Sequence, residues 1–302
     1  ERPLPFALGH VAGQHEALGV EGQAGRPSQA GVRLGADHHK EVANRLDARS
    51  ALGVAPDLLL ELAGVAEQID LRASDREPAF VAIGDELSLA LVDNNPLAMS
   101  EAHPHKQGNA IDLGGHPASE WTEVLTDALA LIERYMPDLR REIDLYLRLV
   151  VPVGFDERTH LSASYQEVIG TVYMTLHPQR MTMVEALIHE FQHNKLHALL
   201  ELDPLLDNAF APLYASPVRP DPRPLQGVLL AVHAFQPVAR LYQLMREDGY
   251  PGCEQPDFER RFQQIVKGNH EGATVLLEHG QPTTIGRGLL DELRRWDSHA
   301  WS

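Results

Sequence analysis

The sequence predicts an α+β fold in which a small, mainly antiparallel sheet packs against helices. Short runs rich in Val, Leu and Tyr lie between residues 80 and 176, and longer segments with helical periodicity follow residue 180. Of the 302 residues, 43% are hydrophobic and 23% are charged, so the chain can bury a substantial core. We expect an irregular and helical N-terminal segment at 1–75 and a single domain at 76–302.

The spacing of apolar residues, with Gly and Pro as breakers, predicts the elements in chain order. The first half contains a helix over about 38–70, two short strands within Phe80–Val92, a polar loop over 93–115, a helix over Trp121–Tyr135, and strands over Leu145–Val153, Leu161–Gln166 and Gly170–Leu176. The second half contains a strongly amphipathic helix from a capping box at Thr182–Glu185 to about Leu202, a proline-dense stretch, a helix over Leu225–Arg246 kinked at Pro237, and two helices within 255–297.

Charge and cysteine content exclude several classes of protein. The formal net charge of −17 argues against nucleic acid or an anionic membrane as the main partner, because both attract clustered Lys and Arg. No apolar run approaches the roughly 20 residues that span a bilayer. The single cysteine, Cys253, excludes an intramolecular disulfide, and we expect a cytoplasmic protein. Because the chain starts at Glu1 rather than Met, we expect it to be a trimmed chain or a piece of a longer protein.

The strongest motif is His189-Glu190-Phe191-Gln192-His193, on the amphipathic helix. Residues four apart share one helix face, about 6 Å apart along the axis, so both imidazoles can reach one metal ion. In a zinc hydrolase, Glu190 between them would be the general base for metal-bound water. The motif therefore predicts that 76–302 is a metal-binding catalytic domain.

A catalytic metal usually needs a third protein ligand. We favour His233, which is the polar residue in an otherwise apolar helical stretch. His197 lies about 12 Å along the axis from His189, so we expect it in the second shell or at the surface. The alternatives for the third ligand are His270, His279, Glu201, Asp203 and Asp207.

Two arginines, Arg219 and Arg223, stand in the proline-dense stretch between the two helices that carry histidines. Arginine binds carboxylates in bidentate fashion, so these residues are candidates for an anionic ligand. Solvated linker charge is an equally good interpretation from the residues alone.

The stretch from about Ile83 to Arg240, roughly half of the chain, resembles a known family. The segments that carry the likeness are HPHKQGNAIDLGG, VVPVG, EALIHEFQHNKLHALLELDPL and SPVRPDPRPLQGVLLAVHAF. They resemble the HExxH-motif, 2-oxoglutarate-dependent peptide β-hydroxylases of peptide-modification gene clusters. The residue at Val218 departs from that pattern, in which an aromatic residue stands there.

This resemblance implies Fe(II) held by His189, His193 and His233, with 2-oxoglutarate chelated to the iron. It also implies that Arg223, Arg219 or both pair with the remote carboxylate of 2-oxoglutarate. The substrate would be a ribosomal precursor peptide hydroxylated at a side-chain β-carbon, and a radical peptide maturase would be a fused or separate partner.

Two other functions stay open from the residues. One is a zinc metallopeptidase with Glu190 as general base, for which a zincin-like arrangement is an analogy of fold only. The other is a non-catalytic peptide-binding module that retains a structural metal.

Overall fold

The computed structural model describes residues 7–8, 78–92, 111–216 and 221–299. The helices in these ranges are α1 (Ala118–Tyr135), α2 (Pro137–Tyr146), α3 (Arg180–Leu200), α4 (Leu225–Glu247), α5 (Pro256–His279) and α6 (Thr284–His299). The strands are β1 (Ala7–Leu8), β2 (Phe80–Ala82), β3 (Ser88–Ala90), β4 (Leu149–Phe155), β5 (Thr159–His160), β6 (Ser162–Ala163), β7 (Thr171–Leu176), β8 (Leu213–Tyr214) and β9 (Arg223–Pro224). The predicted helix at 38–70 and most of the predicted loop at 93–115 lie outside the described residues, and the division at residue 75 stays a prediction.

The main sheet has five strands in the order β2-β3-β4-β7-β6. The α+β class is confirmed, but the prediction of a mainly antiparallel sheet is wrong. The inner pairs β3–β4 and β4–β7 are parallel, whereas the outer pairs β2–β3 and β6–β7 are antiparallel. The connections from β3 to β4 and from β4 to β7 are long enough for crossovers, which parallel neighbours require. The sheet is therefore mixed.

The strand predicted from Leu145 begins four residues later, at Leu149. Pro137, which follows the predicted helix over Trp121–Tyr135, stands at the start of α2. Proline is well suited to a first helical turn, because its missing N–H has no helical partner there. Residues Leu145 and Tyr146 are consequently the last residues of α2.

Helix α3 lies at the centre of the described fold. Every residue from Thr182 to Asn194 is buried, so the prediction of a strongly amphipathic helix is wrong for this part of α3. The predicted capping box is wrong as well, since α3 begins at Arg180 with Gln179 as the N-cap residue and no side-chain cap. The Glu185 side chain faces the interior instead of accepting a hydrogen bond from the backbone at the helix start.

Helices α3 and α4 pack antiparallel. Glu185 near the start of α3 contacts Tyr242 near the end of α4, and His189 one turn later contacts Phe235. The largest apolar cluster fills the space between the sheet, α1, α3, α4 and α5. A second cluster joins the end of α3 to α4, α5 and α6. The two helices predicted within 255–297 are confirmed as α5 and α6, although α6 continues to His299. Among the described helices, none has the length and apolar character required to cross a membrane.

Candidate metal centre

The buried polar residues of α3 are held by partners from several different elements. The Asn194 amide accepts from the Gly170 N–H at 2.7 Å and donates to the Thr171 carbonyl at 3.3 Å, which ties α3 to the sheet. Its Nδ2 also donates to the Glu190 carbonyl at 3.0 Å. Since an unsatisfied buried polar group costs roughly 1–3 kcal/mol, these bonds fix the position and rotation of the helix.

His189 and His193 form a close pair on this helix. Their Nε2 atoms are 2.9 Å apart, and both side chains are buried. Two imidazole nitrogens bound to one metal at about 2.1 Å and at right angles would lie about 3.0 Å apart. The Nδ1 atom of each ring has no hydrogen-bond partner among the described residues. The pair thus fits two neighbouring positions of one metal ion, such as iron or zinc, for which imidazole is a suitable ligand.

Burial keeps both imidazoles in the neutral form that a metal requires. Desolvation lowers the pKa of His189 to about 3, and the charges of Arg261 and His160 act in the same direction. Desolvation also lowers the pKa of His193 well below its ordinary value, with further contributions from His189, His197 and His233.

Glu190 is fully buried and is held by the sheet. Its Oε1 accepts from the Ser162 hydroxyl at 2.7 Å, and its Oε2 accepts from the Ser164 hydroxyl at 2.8 Å. Desolvation raises the pKa of this carboxyl to about 7, although the two serine hydroxyls act in the opposite direction. Each carboxylate oxygen therefore already accepts a hydrogen bond from the protein.

His233, the predicted third ligand, lies buried on α4 on the side of His193. One ring nitrogen hydrogen-bonds to the backbone of Gln192, and Nδ1 has no hydrogen-bond partner within the described ranges. Desolvation lowers its pKa to about 4, so its imidazole is also neutral. In the described parts of the chain, however, no three side chains of His, Cys, Asp or Glu are arranged around one metal position. A third ligand from the described residues would therefore have to move toward the pair when a metal binds.

Of the two predicted arginines, Arg223 lies within the described residues and Arg219 lies outside them. The Arg223 side chain is largely buried at the start of α4, where its Nε is 2.8 Å from the Asp221 carboxylate. Because α3 and α4 are antiparallel, Arg223 lies toward the C-terminal end of α3, on the side of His193 rather than of Glu185.

The alternative third ligands have other partners or positions. His270 pairs with Asp297 at 2.8 Å, and the His279 ring stacks on Tyr214. Glu201 accepts from Gln166 at the exposed end of α3. The His197 ring stacks against the His193 ring with 6.2 Å between their centroids. Asp203 and Asp207 follow α3, where Asp203 is exposed and the Asp207 backbone N–H donates to Gln281.

Sequence reasoning missed a buried ion pair one turn before His189. Arg261 on α5 donates to both oxygens of Glu185, with Nη2 to Oε2 at 2.6 Å and Nε to Oε1 at 3.3 Å. The Tyr242 hydroxyl donates to the same carboxylate. The Phe235 ring lies between this group and the centre, 4.5 Å from the His189 ring and 5.8 Å from the Arg261 guanidinium carbon. This network fixes α4 and α5 against the histidine helix.

A second missed group lies on the segment that contains β5 and β6 and continues to Ser164. His160, Ser162 and Ser164 alternate along an extended chain, so their side chains point to the same face. Both serines contact Glu190, and this face is therefore turned toward α3. The alternation was visible in the sequence, but the strands are too short for that pattern to show which face would be buried.

Comparison with known proteins does not identify the chain. No protein-family model matches it, and no curated protein matches it. The resemblance to the peptide β-hydroxylases therefore stays a prediction.

Proposed function

We propose that this chain is an Fe(II)- and 2-oxoglutarate-dependent dioxygenase that hydroxylates a side-chain β-carbon of a ribosomal precursor peptide. The observation that carries the proposal is the binding of Glu190 by Ser162 and Ser164 beside a neutral pair of histidines. This arrangement sets two neutral imidazoles beside a motif carboxylate whose two oxygens are both oriented by serine hydroxyls. The resembling segments on both sides of the motif support the same function.

The protein would hold iron through three imidazoles. His189 and His193 supply two neighbouring positions, and His233 would supply the third by moving toward the pair. Three neutral imidazoles would hold the iron and leave it open to the co-substrate. Iron with 2-oxoglutarate and O2 supplies an oxidant that converts a C–H bond to C–OH, with succinate and CO2 as the other products.

The remaining residues would bind and orient the co-substrate. Arg223 lies on the His193 side of the pair and can present its guanidinium to the remote carboxylate, with Arg219 as the second candidate. Asp221 neutralises Arg223 in this structure, so the co-substrate carboxylate would compete with Asp221 for the guanidinium. Phe235 covers His189 and limits the access of water to that side of the centre.

A zinc metallopeptidase is the second candidate, because the sequence has Glu between the two histidines. In such an enzyme the carboxylate must accept a proton from metal-bound water. Glu190 would do so through the second lone pair of an oxygen that already accepts a serine hydroxyl, so the support for the hydroxylase over this candidate comes from the resembling segments. A zincin-like fold would suit either metal, and it stays an analogy. A non-catalytic module with a structural metal would instead lose its fold with a chelator and show no turnover.

The proposal can be tested on metal-free protein under anaerobic conditions. Fe(II) is added, 2-oxoglutarate is titrated, and the visible absorption spectrum is recorded. We expect a charge-transfer band that saturates with 2-oxoglutarate, persists in Glu190→Gln and disappears in His189→Ala. Peptide hydrolysis that requires zinc and is abolished by Glu190→Gln, with no such band, would establish the peptidase instead.

A further inference from the structure

The N-terminal strand β1 is paired with β5 in a separate two-stranded sheet. The pairing is parallel, with Ala7 opposite Thr159 and Leu8 opposite His160. Parallel neighbours cannot be joined by a tight turn, and β1 comes from a part of the chain that is far from β5 in sequence. β1 is therefore an extended segment that adds to β5 from outside, as a separate peptide could.

The hydrogen bonds around β5 show which of its backbone groups face β1. The Thr159 N–H donates to Asp156 Oδ1 at 2.9 Å, and the Leu161 N–H donates to Thr175 Oγ1 at 3.0 Å. The Leu161 carbonyl accepts from the Thr175 N–H at 2.8 Å. Because backbone groups alternate in direction along an extended chain, the N–H and C=O of His160 point to the other side, toward β1.

The register then separates the two residues of β1. In a parallel pair, a residue whose backbone groups face the neighbouring strand bonds to the residues on either side of its register partner. The register partner of His160 is Leu8, so the Ala7 backbone groups face β5 and those of Leu8 face away from it. Ala7 and Leu8 therefore provide a test position and its matched control.

The segment that accepts β1 continues to the motif carboxylate. Beyond His160, this segment reaches Ser162 and Ser164, whose hydroxyls donate to Glu190 at 2.7 and 2.8 Å. β6, which contains Ser162, is the last strand of the main sheet on this side. A peptide that pairs in parallel with β5 therefore runs in the direction of the residues that hold Glu190.

We propose that an extended peptide pairs with β5 in place of β1, in the same parallel direction, and that the peptide substrate and the N-terminal strand of this chain compete for this position. A strand added to a sheet edge is recognised through its main-chain hydrogen bonds, so peptides of different sequence can bind. The identity of the peptide as the substrate rests on the proposed function, whereas strand exchange at β5 does not.

The first test measures amide hydrogen exchange of His160 in the full chain by NMR. Ala7→Pro removes the N–H that faces β5, and we expect the His160 N–H to exchange at least about tenfold faster than in wild type. Leu8→Pro should leave that rate unchanged, because the Leu8 N–H faces away from β5. The Leu161 N–H is an internal reference, since it donates to Thr175 and not to β1. Exchange of His160 at the rate of an exposed amide in wild type would refute the pairing without any variant.

The second test measures peptide binding by fluorescence anisotropy. The probe is a labelled synthetic peptide with the sequence of residues 1–14, ERPLPFALGHVAGQ. Since the strand of the same chain competes at a high effective concentration, the probe should bind folded Ala7→Pro at least about tenfold more tightly than wild type or Leu8→Pro. Equal affinity for wild type and Ala7→Pro, or no binding to either, would overturn the proposal.

Backbone methylation of the probe distinguishes strand addition from other contacts. N-methylation at Ala7 removes the N–H that faces β5 and should weaken binding to the Ala7→Pro protein about tenfold or more. N-methylation at Leu8 is the matched control and should change the affinity less than about threefold. An equal loss from both modifications would refute parallel pairing in the register of β1.

These results are independent of the spectroscopic test of the proposed function. If Fe(II) and 2-oxoglutarate give no charge-transfer band while Ala7→Pro binds the probe with the expected methylation pattern, the hydroxylase fails and strand exchange at β5 stands. If the band forms and the probe does not bind, strand exchange fails and the hydroxylase stands.

Discussion

Replacement of Arg261 by methionine should strongly destabilise the protein. The change removes the three hydrogen bonds that Arg261 donates to the Glu185 carboxylate. Among the described residues, that buried carboxylate then keeps the Tyr242 hydroxyl as its one hydrogen-bond partner. Removal of one partner from a buried ion pair costs about 3–5 kcal/mol, because the remaining charge is uncompensated. For a domain of this size, that corresponds to a decrease of roughly 6–20 °C in the melting temperature.

The assay is thermal and urea unfolding of metal-free wild type and variants, followed by far-UV circular dichroism. Arg294→Ala is the matched control, because Arg294 pairs with Asp291 at 2.7 Å where both side chains are exposed. Such a pair contributes about 0–1 kcal/mol. A loss in Arg261→Met no larger than that in Arg294→Ala would refute the importance assigned to the buried pair.

A compensated variant separates charge burial from packing. If Glu185→Leu and Tyr242→Phe are added to Arg261→Met, no buried charge and no buried hydroxyl remain at this place. Apolar replacement of a whole buried network is often neutral or stabilising, so we expect most of the lost stability to return. A triple variant as unstable as the single one would show that side-chain shape, rather than charge, determines the effect.

Two further predictions concern the backbone and the pH dependence of stability. Gly114→Ala should lower the free energy of unfolding by more than about 2 kcal/mol, because φ is +66° and an added Cβ would lie 2.3 Å from the Phe155 Cβ. Gly115→Ala is the control, since Gly115 has φ +80° but open space around it, and it should cost only about 1–2 kcal/mol in urea unfolding. Burial lowers the pKa of His177 despite the opposing charge of Asp156. The unfolded chain therefore takes up the proton first, and the free energy of unfolding falls as the pH drops below 6.5. This decrease should be smaller in His177→Asn.

Elements with strong local signals could be predicted from the sequence. Helix α1 ends at Tyr135 as its apolar periodicity predicts, and β7 ends at Leu176 before Pro178. Helix α2 was missed because Pro137 can either end one helix or begin the next, and the local sequence does not distinguish these outcomes. The parallel pairing of β3, β4 and β7 depends on contacts between residues far apart in the chain, so no local pattern encodes it.

The candidate site also contains some features that could be predicted from the sequence and others that could not. The spacing of His189 and His193 on one helix predicts their proximity, and their Nε2 atoms are indeed adjacent. Glu185 matches a capping box in the sequence, but the helix starts earlier and Arg261, 76 residues later, pairs with it. The serines that bind Glu190 could not be assigned either, because this contact joins an edge strand to a helix 26 or 28 residues further along the chain.

The anchors along α3 explain why so many polar residues are buried in one helix. Glu185 is fixed to α4 and α5 one turn before His189, and Glu190 is fixed to the β6 segment directly after it. Asn194, directly after His193, is fixed to the start of β7. An apolar helix would provide similar stability at a lower cost of desolvation, so stability alone does not account for this arrangement. The anchors do hold the backbone of both histidines on two sides, so a metal could bind with little change in α3 itself.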